Sequence, residues 1–123
     1  MAEALFSNYS NHKVYSAGTK VYENEGEKIK TIPLAKEVID SMKEEGIDIS
    51  ENVRKQITPK IADEYDKIIV MAEPETIPEF LRNNNKAMYW EIEDPKGKSI
   101  EDYRLLIKEL KILIQKLIMD NNL

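Results

Sequence analysis

Three carboxylates stand close together in the stretch Tyr89–Ser99, and they are the side chains best suited to acid–base chemistry. On a strand, Glu91 and Glu93 would point to the same face, and Asp94 follows directly. Like charges close together raise a carboxylate pKa, which favours a protonated group that can act as a general acid. The alternative is a solvated acidic loop in which Asp94-Pro95 only begins a turn.

Three segments with strand character surround this cluster. Lys67–Met71 is apolar after its lysine, which predicts a strand buried on both faces, as in a parallel sheet. A second strand is predicted over Lys86–Trp90, with Tyr89 and Trp90 packed in the core. The third, Lys13–Ser16, is short and ends at Ala17-Gly18-Thr19.

Helical patterns alternate with these strands, which favours an α/β fold in one domain over residues 1–123. Thr58-Pro59 is typical of a helix start, Gly46 of a helix end, and Ser99-x-x-Asp102 resembles a capping box. The predicted helices are Met1 to about Asn8, Ile32 to Glu45, Pro59 to about Glu64, Pro74 to Arg82, and the segment after Ser99 to about Met119.

The helix that starts at Ile32-Pro33 has an apolar stripe of Leu34, Val38, Ile39 and Met42.

The last helix is apolar over a wider arc than one buried face needs. Leu105, Ile112 and Ile118 lie off its inner stripe. They indicate either a well-buried helix with a few exposed apolar residues or a surface that meets a partner or a second copy.

Composition excludes several classes of function. The sequence has no cysteine, which removes disulfides, thiolate metal sites and a cysteine nucleophile within these residues, and a single histidine, His12, excludes a His-rich metal site. The net charge of −5 argues against nucleic-acid binding. No run suits a membrane span and no signal peptide is evident, so we expect a cytoplasmic protein that needs no cofactor.

The remaining polar residues suggest no second site. His12 is expected to be solvated near a helix end, and Ser16 to be a hydrogen-bonding turn residue without a histidine base. The four glycines form no phosphate-binding motif.

Six segments, in the right order, resemble the low-molecular-weight protein tyrosine phosphatase family and its arsenate-reductase branch. Any one of them is weak, but the ordered set covers almost the whole chain. The segments are Met1–Ala4, Ser16–Thr19, Gly46–Ser50, Arg54–Thr58, Lys67–Met71 and Glu93–Pro95.

The resemblance implies a three-layer αβα fold whose small parallel sheet has four strands in the family. It also implies phosphomonoester hydrolysis through a cysteinyl-phosphate, with a phosphorylated substrate or an oxyanion bound by a Cys-x5-Arg loop. The family's Asp-Pro aspartate protonates the leaving group, and Asp94 matches it by motif.

The chain departs from this pattern at its start. The family's Met-Ala-Glu-Ala helix follows Cys-x5-Arg-Ser, so we expect the first strand and its loop to be absent and the chain to be inactive as given. The segment Lys96-Gly97-Lys98 after Asp-Pro lacks the aromatics of the phosphotyrosine branch. The loop after Lys67–Met71 lacks the reductases' resolving cysteines.

Two hypotheses therefore stand. In one, the parent protein is a phosphatase whose true start lies upstream of Met1. In the other, the chain is a non-catalytic relic that acts as a binding or self-association module. Its contacts would be the exposed strand edges or the C-terminal helix, giving a homo-oligomer.

Overall fold

Five α-helices and two β-strands form within residues 1–93 and 99–123, the part of the chain that the computed structural model describes. The elements are α1 Ala2–Tyr9, α2 Lys36–Glu44, α3 Pro59–Asp63, β1 Ile68–Val70, α4 Glu79–Arg82, β2 Ala87–Tyr89 and α5 Ile100–Asn121. The prediction of an α/β fold with a small parallel sheet is confirmed.

These residues divide into two units. The helical unit contains residues 1–16, 27–53 and 99–123, and the sheet unit contains Ala17–Gly26 and Arg54–Glu93.

The helical unit is built on α5, which packs against both α1 and α2. Leu5 and Met42 are among its most deeply buried side chains, on α1 and α2 respectively. The buried face of α5 repeats every three or four residues, as an amphipathic helix requires. Its members are Tyr103, Ile107, Leu110, Ile114 and Leu117.

The start of α5 confirms the predicted capping box. The backbone N–H of Ser99 donates to the Asp102 carboxylate at 3.3 Å, and the Ser99 hydroxyl donates to the same carboxylate at 3.1 Å. Asp102 also places negative charge in the first turn, where the helix dipole favours it.

The end of α2 also follows the prediction, because Gly46 takes the left-handed φ of +79° that a helix-terminating glycine accepts without strain.

The sheet unit contains the two strands, which run parallel with Ile68 paired to Ala87 and Val70 to Tyr89. Burial on both faces of β1 was predicted and is wrong, because Ile68 and Ile69 are only half-buried while Val70 is buried. Tyr89 was predicted to lie in the core but is exposed. It keeps its hydroxyl satisfied by donating to the Leu81 carbonyl at 3.0 Å.

Lys13–Ser16 was predicted to be a strand and is not one. Strand structure depends on a continuous backbone ladder with a neighbour. The sheet of the described residues contains only β1 and β2, and residues 13–16 stay outside it.

Two predicted helices begin later than expected. Leu34 has φ of +66°, a left-handed conformation that a helix does not contain, so α2 starts at Lys36 and Leu34 is exposed instead of joining the apolar stripe. The predicted helix over Pro74–Arg82 is divided. Ile77 precedes Pro78 and is therefore extended, which separates a 3₁₀ turn at Pro74–Thr76 from α4.

Surface ion pairs link α5 to the end of α2. The Arg104 guanidinium donates to both Glu44 carboxylate oxygens, at 2.8 and 2.6 Å, and Lys111 pairs with Glu45 at 2.5 Å. The hydrogen bonds from Arg104 hold the pKa of Glu44 below its ordinary value of 4.5. The Glu44–Arg104 pair is exposed, and exposed pairs orient helices more than they stabilise them, whereas the Lys111–Glu45 pair is half-buried.

Replacing Leu110 by alanine tests whether the α5 core carries the helical unit. Leu110 is 2% exposed, so Leu110→Ala should lower the free energy of unfolding by about 2–5 kcal/mol through lost burial and a residual cavity. Leu105→Ala is the matched control, because Leu105 on the same helix is 66% exposed and should change stability by less than about 0.5 kcal/mol. Urea unfolding at low micromolar concentration measures both, and equal losses would contradict the packing described.

The Glu44–Arg104 pair predicts a pH dependence. Because the pKa of Glu44 is lowered in the folded state, its contribution is present above pH 4.5 and is lost as the pH falls through the lowered value. The thermal midpoints of the parent chain and of Glu44→Gln should therefore differ at pH 7 and converge below pH 4.5. The exposed Glu75 supplies the control Glu75→Gln, whose difference from the parent should not follow this course. A Glu44→Gln difference that persists unchanged at pH 3 would contradict the assignment.

Candidate functional site

The carboxyl ends of β1 and β2 leave the sheet side by side. Val70 pairs with Tyr89, and the next N–H, that of Trp90, donates to the Val70 carbonyl at 3.0 Å. The segments 71–76 and 90–93 therefore depart from the same edge. In open α/β sheets, ligands bind outside the carboxyl ends of the strands. We call this place the carboxyl edge.

A pair of threonines joins the carboxyl edge to the Ser-Ala-Gly-Thr segment. The Thr76 hydroxyl donates to the Glu73 carbonyl at 2.8 Å, which closes the 3₁₀ turn after β1. The Thr19 hydroxyl donates to the Thr76 hydroxyl at 3.2 Å. Thr19, which lies far from Thr76 in sequence, is thus held beside the loop that follows β1.

Gly18 sits against the Lys55–Ile57 backbone and has no room for a side chain. Its N–H donates to the Lys55 carbonyl at 2.8 Å, and its carbonyl accepts from the Ile57 N–H at 2.9 Å. A Cβ at this position would lie 2.6 Å from Cγ2 of Val21, closer than real atoms approach. The glycine of Ser16–Thr19 therefore serves close packing rather than a positive φ.

The half-buried amide of Gln56 uses both of its ends to hold the same loop. Its oxygen accepts from the backbone N–H groups of Val21 at 2.6 Å and Tyr22 at 2.9 Å. Its nitrogen donates to the carbonyls of Thr19 at 3.0 Å and Ile57 at 3.2 Å. One side chain thus satisfies four backbone groups, which fixes the path of the chain from Thr19 to Tyr22.

Tyr22 is held in a costly conformation by these bonds. Its φ is +44°, unusual for an aromatic residue, and its ring is 66% exposed. Backbone strain of this kind persists only where surrounding contacts over-determine it, and the two hydrogen bonds to Gln56 are such contacts.

The start of β2 is anchored to the end of α3. The Lys86 ammonium donates to the carbonyls of Ala62 at 2.9 Å and Tyr65 at 2.7 Å. A cation at the carbonyl end of a helix is electrostatically favourable. This contact helps set where β2 begins, and so where Trp90–Glu93 leaves the sheet.

The predicted site residues have different outcomes. Asp94 lies outside the described residues. Glu91 and Glu93 are exposed and follow β2 rather than lying in it, so the expectation that they share a strand face is wrong. Trp90, predicted to be core, is half-buried.

The two polar residues of the helical unit behave as predicted. His12 is exposed, and its backbone N–H donates to the Ser10 hydroxyl at 3.1 Å. Ser16 serves as a hydrogen-bonding residue, with its hydroxyl donating to the Glu3 carboxylate.

Sequence reasoning missed the roles of Gln56 and Thr76. Gln56 stood inside a recognised segment, Arg54–Thr58, but nothing local shows that its amide would be saturated by a distant loop. Thr76 carries no sequence signal, since its partner Thr19 is brought to it only by tertiary structure.

Two features of residues 1–93 and 99–123 bear on other functions. No group of three or more histidine, aspartate or glutamate side chains among them could hold a metal ion. Nor does this part of the chain contain a helix both long and apolar enough to cross a membrane.

Comparison with known proteins gives consistent relatives. A family model described as low molecular weight phosphotyrosine protein phosphatase matches residues 1–123. Arsenate reductase 1 of Staphylococcus saprophyticus is 30% identical over 104 residues, which span 84% of this chain and 72% of the relative.

Solved structures agree in fold. A low molecular weight protein tyrosine phosphatase from T. tengcongensis has a TM-score of 0.73 at 25% identity, covering 97% of this chain and 88% of its own. An arsenate reductase in the intermediate state has a TM-score of 0.72 at 28% identity, covering 97% and 86%. Vibrio vulnificus Wzb in complex with benzylphosphonate has a TM-score of 0.77 at 21% identity, covering 97% and 87%, a likeness of fold alone.

Replacing Gln56 by glutamate tests the amide's role without changing its size. A carboxylate still accepts from Val21 and Tyr22 but cannot donate to two carbonyls, so Gln56→Glu should cost about 1–3 kcal/mol of stability and speed amide exchange at both N–H groups. The control is Asn11→Asp, the same amide-to-carboxylate change at an exposed residue, which should leave both measurements unchanged. Unaltered exchange at Val21 and Tyr22 in Gln56→Glu would show that the amide does not hold the loop.

Proposed function

Because the chain belongs to the low molecular weight phosphotyrosine protein phosphatase family, we propose that its carboxyl edge is the leaving-group side of a phosphomonoesterase site. The observation that carries the proposal is the register of β1 and β2. It directs Trp90–Glu93, the residues immediately before Asp94, out of the same edge as the Thr19–Thr76 pair. Asp94 is the proposed general acid, giving its proton to the leaving oxygen of the substrate.

The proposed chemistry is hydrolysis rather than arsenate reduction. In the family, arsenate reduction needs further cysteines that become oxidised, in the loop after Lys67–Met71, and here that loop, Ala72–Glu75, contains none. Hydrolysis through a cysteinyl-phosphate needs one thiolate nucleophile, a cradle for the phosphoryl oxygens and an acid. Of these three parts, the sequence supplies a candidate only for the acid, Asp94.

Two of the three arginines are engaged elsewhere. Arg82 uses its guanidinium on the carbonyls of Ile77, at 2.9 Å, and Pro74. Arg104 is engaged by Glu44 and Glu101. We therefore propose that residues 1–123 alone do not turn over a phosphomonoester, because Asp94 has no cysteinyl-phosphate chemistry to assist.

A fusion tests this proposal directly. A strand followed by a Cys-x5-Arg-Ser loop, the two parts that the family resemblance implies ahead of Met1, is placed immediately before Met1, and hydrolysis of p-nitrophenyl phosphate is compared with that of the unfused chain. The unfused chain should show no hydrolysis above background, and the fusion should be active. Circular dichroism of both proteins establishes that each is folded. Hydrolysis by the unfused chain that Asp94→Ala abolishes would overturn the proposal.

The role of Asp94 as general acid can be tested in the active fusion by comparing kcat for two leaving groups. Asp94→Asn should lower kcat by about 10²–10⁴-fold for an alkyl phosphate, whose leaving oxygen needs a proton. The loss should be smaller for p-nitrophenyl phosphate, because p-nitrophenolate leaves without one. Asp66→Asn, an exposed aspartate of the sheet unit, is the matched control and should leave kcat unchanged for both substrates. Equal kcat in the fusion and in its Asp94→Asn form would exclude Asp94 as the acid.

A second candidate function is that of a non-catalytic self-association module. Exposed apolar side chains on α5 favour it, and it needs neither a thiolate nor an acid. The two candidates are separable, since hydrolysis by the fusion tests the first and the oligomeric state of the unfused chain tests the second.

A further inference from the structure

The solvent face of α5 carries an apolar stripe formed by Leu105, Ile112 and Met119. These side chains are 66%, 62% and 78% exposed. They are spaced by seven residues, which is close to two full helical turns, so all three point the same way. At 1.5 Å per residue, the stripe extends over about 21 Å. The opposite face of α5 is the buried one that packs on α1 and α2.

The stripe repeats every seven residues, with the polar residues Lys108 and Gln115 between its members. Single exposed apolar side chains are ordinary, but three in one line form a continuous apolar contact for another helix. The arrangement needs a second helix with a matching stripe, and a second copy of α5 offers one.

We propose that two copies of the chain associate through this stripe, with their α5 helices antiparallel and related by a twofold axis at Ile112. In that arrangement Ile112 meets Ile112 of the second copy, and Leu105 meets Met119 of the second copy. The Leu105–Met119 contact therefore occurs twice, once on each side of the Ile112–Ile112 contact at the twofold axis.

Charge along the stripe is complementary in this pairing. Glu109 and Lys116 both lie on one flank, seven residues apart, and both are exposed. In an antiparallel pair the same flanks face each other, which brings Glu109 close to Lys116 of the second copy, twice by symmetry. The other flank carries Lys108 and Gln115, which meet without a like-charge contact.

A parallel pair is less favourable. It would align the two helix dipoles and place the acidic first turns, with Glu101 and Asp102 from both copies, next to one another. The antiparallel pair opposes the dipoles. It brings Asp102 towards Asp120 of the second copy, but this approach lies beyond both ends of the stripe.

The strand edges are a poorer contact surface than the stripe. β1 and β2 are three residues long each, so an added strand would gain few backbone hydrogen bonds. The stripe itself is narrow, so we expect a weak dimer with a dissociation constant on the order of 10–100 µM.

Sedimentation of the full chain over a concentration range tests the association. The mass should rise from 14.3 kDa towards twice that value as the concentration passes the dissociation constant. Ile112→Glu should abolish the rise, because it places two carboxylates against each other at the twofold axis. A chain that stays monomeric to several hundred micromolar overturns the proposal, and so does a dimer that Ile112→Glu leaves intact.

Exchanging the charges of Glu109 and Lys116 distinguishes an antiparallel pair of α5 helices from a parallel pair. Glu109→Lys should weaken the dimer, and adding Lys116→Glu should restore it, because the flank pairs are then only reversed. A parallel pair would set residue 116 beside Gln115 and would not be rescued. Failure of the double variant to recover therefore overturns the antiparallel geometry.

Because the sequence has no cysteine, introduced cysteines report contacts without background. Leu105→Cys mixed with Met119→Cys should give a mixed disulfide under mild oxidation, while Leu105→Cys alone should cross-link poorly. The reverse result overturns the antiparallel pairing. Melting curves of each variant at low concentration show whether the monomer itself remains folded.

Discussion

Both the oxygen and the NH₂ group of the half-buried Gln56 amide need hydrogen-bond partners, and the sheet unit is arranged to supply them. Four backbone groups, from Thr19, Val21, Tyr22 and Ile57, converge on it. Because a half-satisfied amide would cost free energy, the loop cannot relax without leaving polar groups unpaired. This constraint explains how an exposed tyrosine can keep a left-handed backbone conformation, and why Thr19 stays beside Thr76 at the carboxyl edge.

The helical unit depends on α5, which has one buried face and one exposed face. Its inner face is closely packed against α1 and α2, and this burial is the main source of stability. Its outer face keeps a second, narrower apolar stripe that contributes nothing to the monomer. The wide apolar arc of this helix therefore has two causes, of which only the inner one is explained by the fold of a single copy.

The carboxyl edge gives the family assignment a physical meaning. Parallel strands in register deliver their following loops to one place, so residues 90–93 leave the sheet beside the loop that follows β1. In the proposed mechanism the acid is one part, and a thiolate and an anion cradle are the others. The 123 residues contain no cysteine, so they offer no thiolate for that mechanism.

The sequence by itself determined the fold class with its small parallel sheet, the Ser99–Asp102 cap and the family. Each of these depends on local chemistry, hydrophobic periodicity or an ordered set of motifs. The helix was predicted to run through Pro78, but proline disfavours a helical conformation at the preceding residue, so the sequence also contained the signal for the break.

Tertiary structure alone decided the rest. The Thr19–Thr76 contact joins residues distant in sequence, and Lys13–Ser16 lies outside the sheet of the described residues. The positive φ of Leu34 and the exposure of Tyr89 were likewise not predicted from the local pattern. A strand exists only when a neighbour completes its ladder, and an amide's partners are known only when the chain has folded around it. Local patterns therefore predicted most of the helices and strands, and long-range contacts decided which residues those elements bring together.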